Sequence, residues 1–318
     1  FCSFYLRRLS PHLFRSFLGG GYTKKGNTMP TIDTLVKDME DTILGLKGWD
    51  HIVGLKMGDS IAKTAFQRFS EPQKPRKYLS FSSIGSPCQR KLWYKINDTE
   101  AAKPLSAADL LKFFYGDMIE ELVLSIVKVS GHEVTGEQDR MFIGNMAGHR
   151  DAVIDGMTVD VKSASPYSFK KFAEGNLRED DPFGYISQLS SYVYAAKDDP
   201  LVTNKTHGAF LVVDKVNGTI CLDVYDFSKE LEQKEKEIGT VKKMVKGKIP
   251  DRPFDPVPVS ANSPNTKLPK TCNFCDFKKK CWPEARKFVY SNYDAYLVDV
   301  VKKPNVPEDL TYNDQEKI

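Results

Sequence analysis

Two carboxylates and a lysine within Gly148-His-Arg-Asp151-Ala-Val-Ile-Asp155-Gly156-Met-Thr-Val-Asp160-Val161-Lys162 have the spacing of a metal-dependent hydrolytic site. Asp155-Gly156 is a two-residue hairpin signal, because both central positions of a type I′ turn need positive φ. With that turn Ile154 pairs with Met157, and Asp151 falls opposite Asp160. Residues directly opposed on one sheet face lie about 4.5–5.5 Å apart at Cβ. Two like charges repel there, unless a divalent cation turns them into ligands. Lys162 follows Asp160 by two positions and projects from the same face. Its ammonium can orient a water nucleophile or stabilise charge developing on a phosphoryl group. Val159 and Val161 point the other way, into a core. A lone Asp-x-Lys is usually a solvated strand face; the opposed Asp151 favours a site.

A second chemistry-bearing pattern is Cys272-x2-Cys275-x5-Cys281. Three closely spaced thiols read as metal ligands rather than bridges, and six Cys in 318 residues are too sparse for a disulfide scaffold. Zinc or an iron–sulfur cluster wants four soft ligands. Cys88, on the Ser86-Pro87-Cys88 turn before a helix, is the best fourth. Cys221 sits in a strand pattern as a small apolar side chain, and Cys2 lies in an atypical leader. Spacing alone does not choose between zinc and iron–sulfur.

These groups need elements to position them. Residues 106–130 read as a helix with Leu110, Leu111, Phe114, Met118, Leu122 and Ile126 on one face. It carries Glu120 and Glu121 after Gly116, a pair that alone would be a solvated face. A helix over 183–197 places Gln188 and Tyr192 at i and i+4, on one side. Strands are expected over 140–163 and 208–226, the latter turning at Asn217-Gly218. Further helices are expected from Thr31 to Ile43, through Ile52, Leu55 and Ile61, from Gln89, and over 228–247 with Leu231, Ile238, Val241 and Met244 as its apolar stripe. Residues 71–80 read as a linker, and 250–270 as a Pro-rich ordered excursion. The order of elements predicts an α/β fold with a mixed central sheet flanked by helices.

With 41% apolar and 28% charged residues the chain can fill a core, which excludes wholesale disorder. No run approaches the ~20 apolar residues that span a bilayer. The net charge of +4 is unevenly placed. Residues 1–28 hold five basic residues and no acid; the remainder has 41 basic against 42 acidic, a net of −1. That leader is read as upstream sequence or a fragment boundary before Met29, with a targeting peptide or a nucleic-acid arm as competing readings. Beyond it the expected organisation is a helical N-terminal extension (29–80), a main domain (81–300) and a polar tail (301–318).

Taken in order, the motifs resemble those of the RecB-type branch of the PD-(D/E)XK nucleases, specifically its iron–sulfur members. That branch includes the AddB nuclease domain, the CRISPR-associated RecB-like exonucleases and phage exonucleases. Gly116-x3-Glu120 is similar to the first motif, with Glu where His is common. Gly148-x2-Asp151, Asp160-x-Lys162 and Gln188-x3-Tyr192 follow, and Cys88 with Cys272, Cys275 and Cys281 matches the cluster pattern. The likeness covers about residues 81–285, each motif weak but six in order. It implies a restriction-endonuclease-like core, stapled by a [4Fe-4S] cluster with zinc as the less favoured occupant. It further implies a DNA exonuclease in which Glu120, Asp151, Asp160 and the Val161 carbonyl bind Mg2+ or Mn2+. Lys162 would position water, and Gln188 and Tyr192 would hold the scissile strand or orient Lys162. Arg90, Lys91, Trp93, Tyr94 and Lys278–Lys280 would line a DNA path. The implied partner is DNA, single-stranded or with free ends, in recombination, repair or degradation. No G-x-x-x-x-G-K-[ST] motif occurs in the sequence, so a helicase or recombinase partner would be a separate chain. The implied location is the cytoplasm, bacterial or that of a phage host, with no membrane. A sequence-specific endonuclease on the same fold, and a non-catalytic DNA-binding accessory protein, are the alternatives.

Overall fold

The computed structural model describes residues 30–72, 78–102, 104–144 and 146–314; the leader lies outside them. The chain opens with α1 (Leu35–Ile43), α2 (His51–Phe69), α3 (Phe81–Ile84), α4 (Gln89–Asn97) and the long α5 (Ala107–Val129). Strands β1 (Val134–Thr135), β2 (Arg140–Ile143), β3 (Met146–His149), β4 (Ala152–Ile154) and β5 (Met157–Ala164) come next. Helices α6 (Pro166–Ala173) and α7 (Tyr185–Ala195) lead into β6 (His207–Asp214), β7 (Ile220–Asp226) and α8 (Ser228–Lys246). The C-terminal part holds β8 (Val257–Pro258), β9 (Thr266–Lys267), α9 (Lys270–Asn273), α10 (Lys278–Cys281), β10 (Arg286–Val289), β11 (Asp294–Leu297) and α11 (Leu310–Asp314).

The central sheet has strand order β1-β4-β5-β6-β7. It is mixed: β5 and β6 run parallel, joined through α6 and α7, while the other pairs are antiparallel. Helices cover both faces, which is why the inner strands carry nearly continuous apolar runs such as Ala209-Phe210-Leu211-Val212. On one face Val159, Val161, Ala209 and Leu211 pack with α1 and α5 through Leu35, Met39, Val123 and Val127. On the other, Phe210 and Val212 pack with α6 and α7 through Phe172, Leu189 and Val193. Helix α1 is part of this core, with Leu35 and Met39 fully buried in it.

Three features of the packing cannot be read from apolar periodicity. The buried residues of α5 are Val123, Leu124, Ser125, Ile126 and Val127, whereas Leu111 and Leu122 are exposed. Only the C-terminal half of that helix lies on the sheet, and its N-terminal half pairs with α2, where Phe114 meets Phe69 edge-on at 5.2 Å. Helix α2 itself buries no residue, and Ile52 and Leu55 are exposed. Residues 301–314 are ordered on the C-terminal sheet (β10-β11-β9-β8): Glu308 bridges to Phe288 and its carboxylate clamps Arg286 through two bonds of 2.7 Å. No helix among the described residues is long and apolar enough to cross a membrane.

Candidate active site and cysteine pocket

The hairpin forms in the expected register, with Ile154 opposite Met157, Val153 opposite Thr158 and Ala152 opposite Val159. Asp155 (φ 48°) and Gly156 (φ 77°) supply the two left-handed positions. His132 Nδ1 and the Glu133 N–H hold the Asp155 carboxylate at 2.6 and 3.1 Å. Continuing the ladder by one residue sets Asp151 opposite Asp160. Strand β4 stops at Ala152, so the N–H of Val161 donates instead to Asp151 Oδ2 at 2.7 Å. In an extended strand a residue's N–H and C=O point the same way. The Val161 carbonyl is therefore directed to the Asp151 side while its side chain joins the core.

Asp160 is 2% exposed. Its Oδ1 accepts from Gln188 Nε2 at 3.4 Å, and its Oδ2 ion-pairs with Lys162. The Lys162 ammonium also sits 5.2 Å over the Tyr185 ring. Helix α7 thus presents Tyr185, Gln188 and Tyr192 to this face of β5. Its position is set by a close crossing: a Cβ on Gly85 would lie 2.6 Å from the Gly184 carbonyl oxygen and from Ser187 Cβ. Phe81 of α3 packs edge-on against Tyr192 at 5.1 Å. Gly148 is required by the same contact, because a Cβ there would meet the Phe81 ring at 2.8 Å and the Tyr192 hydroxyl at 2.9 Å. Gly116 differs: its Cβ position is open, so no packing demand explains the glycine.

Glu120 reaches the site from α5. Burial first, then the Asp160 charge, push its carboxyl up to about 7. Asp151 is driven well above the usual carboxylate range, again by burial and then by Asp160 and Glu120, against the opposing pull of Lys162 and the Val161 N–H. Burial alone would lower the Lys162 ammonium, but Asp160 and Asp151 outweigh it and hold it above its ordinary value. Burial and the same two aspartates raise the Tyr192 phenol. The electrostatic signature is an excess of buried negative charge around one cation. Glu121, the competing carboxylate, points away and accepts from Ser60 Oγ at 2.8 Å on α2.

The four cysteines face a common cavity. Cys88, Cys272, Cys275 and Cys281 line one cavity of about 150 Å³, together with Tyr94, Phe254, Phe277 and Trp282. Burial raises the Cys88 and Cys275 thiols and pushes Cys272 up to about 11. Backbone N–H groups point at two of the sulfurs: Lys91 donates to Cys88 Sγ at 3.3 Å, and Phe277 donates to Cys275. Cys221 stands apart on β7, its thiol pushed up to about 11 by burial. Among the described residues, no three His, Cys, Asp or Glu side chains are drawn in closely enough around one point to hold an ion. The carboxylates turn instead to the donors at hand, Lys162, Gln188 and the Val161 N–H.

Part of the expected basic path is engaged elsewhere. Arg90 donates to the Pro250 carbonyl at 2.6 Å and Trp93 to the Gly247 carbonyl at 2.9 Å, tying α4 to the chain beyond α8. Lys278 donates to the Asn273 carbonyl at 3.0 Å. Lys280 is exposed. Sequence reasoning missed a polar cavity of about 230 Å³ next to Gln188 and Tyr192, lined also by Tyr78, Ser80, Ser82, Gln138 and His149. These residues come from three separate segments, so no local spacing announces them. Comparison with known families and with curated proteins finds no match for the chain.

Proposed function

We propose that the chain is a divalent-metal-dependent DNA exonuclease of the RecB-like, PD-(D/E)XK kind. The observation that carries this reading is the buried Asp160–Lys162 ion pair, whose charges act on the neighbouring Asp151 and Glu120 carboxyls. Three carboxylates against one ammonium leave a formal charge of −2 when all are ionised, which one Mg2+ or Mn2+ cancels. The donor set is all oxygen, as these hard cations require, and the Val161 carbonyl is directed to the same place. Bound there, the ion would supply Lewis-acid stabilisation of the phosphoryl oxygens and lower the pKa of a water.

The protein's own groups divide the remaining work. Lys162, held above its ordinary pKa, stays protonated and donates to the attacking water or to a non-bridging phosphate oxygen. Gln188 fixes Asp160 through its Oδ1. The Tyr192 phenol, kept protonated, is a donor for the scissile strand. The open space at Gly116 leaves room for a backbone or a phosphate to approach. The polar cavity beside Gln188 takes the adjoining nucleotide.

The cysteine pocket fits a [4Fe-4S] cluster. Four thiols of one cavity, N–H donors aimed at two sulfurs and an apolar wall suit thiolate-ligated iron. A tetrahedral zinc site would close on sulfurs at about 2.3 Å, and a cavity roughly ten times what one water needs favours the larger group. It joins the Cys88 segment to the C-terminal segment. An assay comparing end-labelled linear DNA with closed circles, with and without Mn2+, tests the function. Metal-dependent release of nucleotides from linear DNA alone supports it. Cleavage of circles at defined sites supports an endonuclease, and no cleavage supports a binding protein.

A further inference from the structure

We infer that Gln138 is a positioning residue for Glu120, held in place by a turn that Arg150 builds. The inference rests on the metal-site reading above and adds a residue that no sequence motif marks. Gln138 Nε2 donates to Glu120 Oε1, and the Gln138 backbone N–H donates to the Asp151 carbonyl at 3.2 Å. One residue therefore touches two of the three carboxylate-bearing residues of the site, through its side chain and its backbone. It does so from the left-handed region, at φ 54°, which is uncommon for a residue with a side chain. An outlier held by its surroundings next to a functional site points to a role.

The surroundings are specific. Arg150 is 1% exposed, and its guanidinium binds the Gly136 carbonyl at 3.1 Å, Asp139 at 2.7 Å and Asp199 at 2.5 Å. The Asp139 N–H returns to the Gly136 carbonyl, and the Arg150 N–H donates to the Asp139 carbonyl at 3.1 Å. A Cβ on Gly136 would lie 2.2 Å from Arg150 Nη2, so the turn closes around this guanidinium only with glycine at that position. Residues 136–139 are thus clamped on both sides of Gln138, and the clamp is anchored through Asp199 to the loop after α7. The amide binds one oxygen of a carboxyl that also feels the Asp160 charge. A neutral donor of this kind orients a carboxylate without competing for the cation, and losing such a partner typically costs 10–100-fold in metal affinity.

Gln138→Gly tests this cleanly, because glycine accepts the φ of this position without strain. Titration calorimetry with Mn2+ alone, without DNA, is compared for the wild type, Gln138→Gly and Glu120→Gln, with thermal unfolding of the metal-free proteins as a folding control. The expected result is an unfolding temperature no lower than wild type for Gln138→Gly, with Mn2+ affinity at least 10-fold weaker. A normal fold with unchanged Mn2+ affinity overturns the role of Gln138. If Glu120→Gln also binds Mn2+ as the wild type does, the metal-site reading falls with it; if only Gln138→Gly does, that reading stands without this residue.

Discussion

Replacing Glu120 by Gln should stabilise the metal-free protein, although it removes a site residue. The Glu120 carboxyl moves from an ordinary 4.5 to about 7 on folding, through burial and the Asp160 charge. The folded state therefore holds a proton that the unfolded chain has already released, and stability falls as pH rises from about 4.5 to 7. At about 1.4 kcal/mol for each pH unit of that gap, the full loss above pH 7 is about 3 kcal/mol, an upper bound because some solvent still reaches the group. Glutamine has the shape of the protonated acid and no such loss. Its benefit should be absent near pH 4.5, grow through pH 6 and level off above pH 7, where it corresponds to a rise of roughly 5 °C in melting temperature. Thermal unfolding in EDTA between pH 4.5 and 8 measures this directly. Adding Mn2+ at pH 8 should then raise the melting temperature of the wild type more than that of Glu120→Gln. A variant that is less stable than wild type at pH 8, or equally responsive to Mn2+, would refute the reasoning.

Other consequences are as specific. Gly156→Ala should destabilise by about 1–3 kcal/mol, since its φ is 77° and the new Cβ would lie 2.1 Å from Thr203 Oγ1; denaturant unfolding checks it. Cys88→Ser should abolish a brown colour near ~400 nm in protein purified without oxygen and lower the unfolding temperature, whereas a colourless wild type with one zinc per chain would leave the ligation but change the metal. Arg150→Met should cost about 3–5 kcal/mol, because Asp199 would be left without its guanidinium partner; a loss under 1 kcal/mol by chemical denaturation would contradict the clamp.

Local rules carried much of the fold. Asp155-Gly156 set the hairpin, and the hairpin register set Asp151 against Asp160, because a two-residue turn leaves one pairing. The i,i+4 spacing likewise put Gln188 and Tyr192 on the site side of α7. What was not legible depends on contacts distant in sequence. The exposed α2 and the half-buried α5 follow from the two helices pairing with each other, and an apolar periodicity cannot say which partner it meets. Glu120 was separated from Glu121 only once α2 took Glu121 through Ser60. Gln138 was invisible because its role comes from a backbone outlier supported by Arg150, and its own side chain follows no motif.

The most direct test of the proposed chemistry is cleavage of end-labelled DNA in saturating Mn2+ by wild type and Lys162→Ala, side by side with their unfolding curves and absorption spectra. The expected result is a Lys162→Ala protein that folds and retains its chromophore but releases no nucleotides above background, while the wild type degrades the strand. Wild-type rates from folded Lys162→Ala would contradict the assignment of the site.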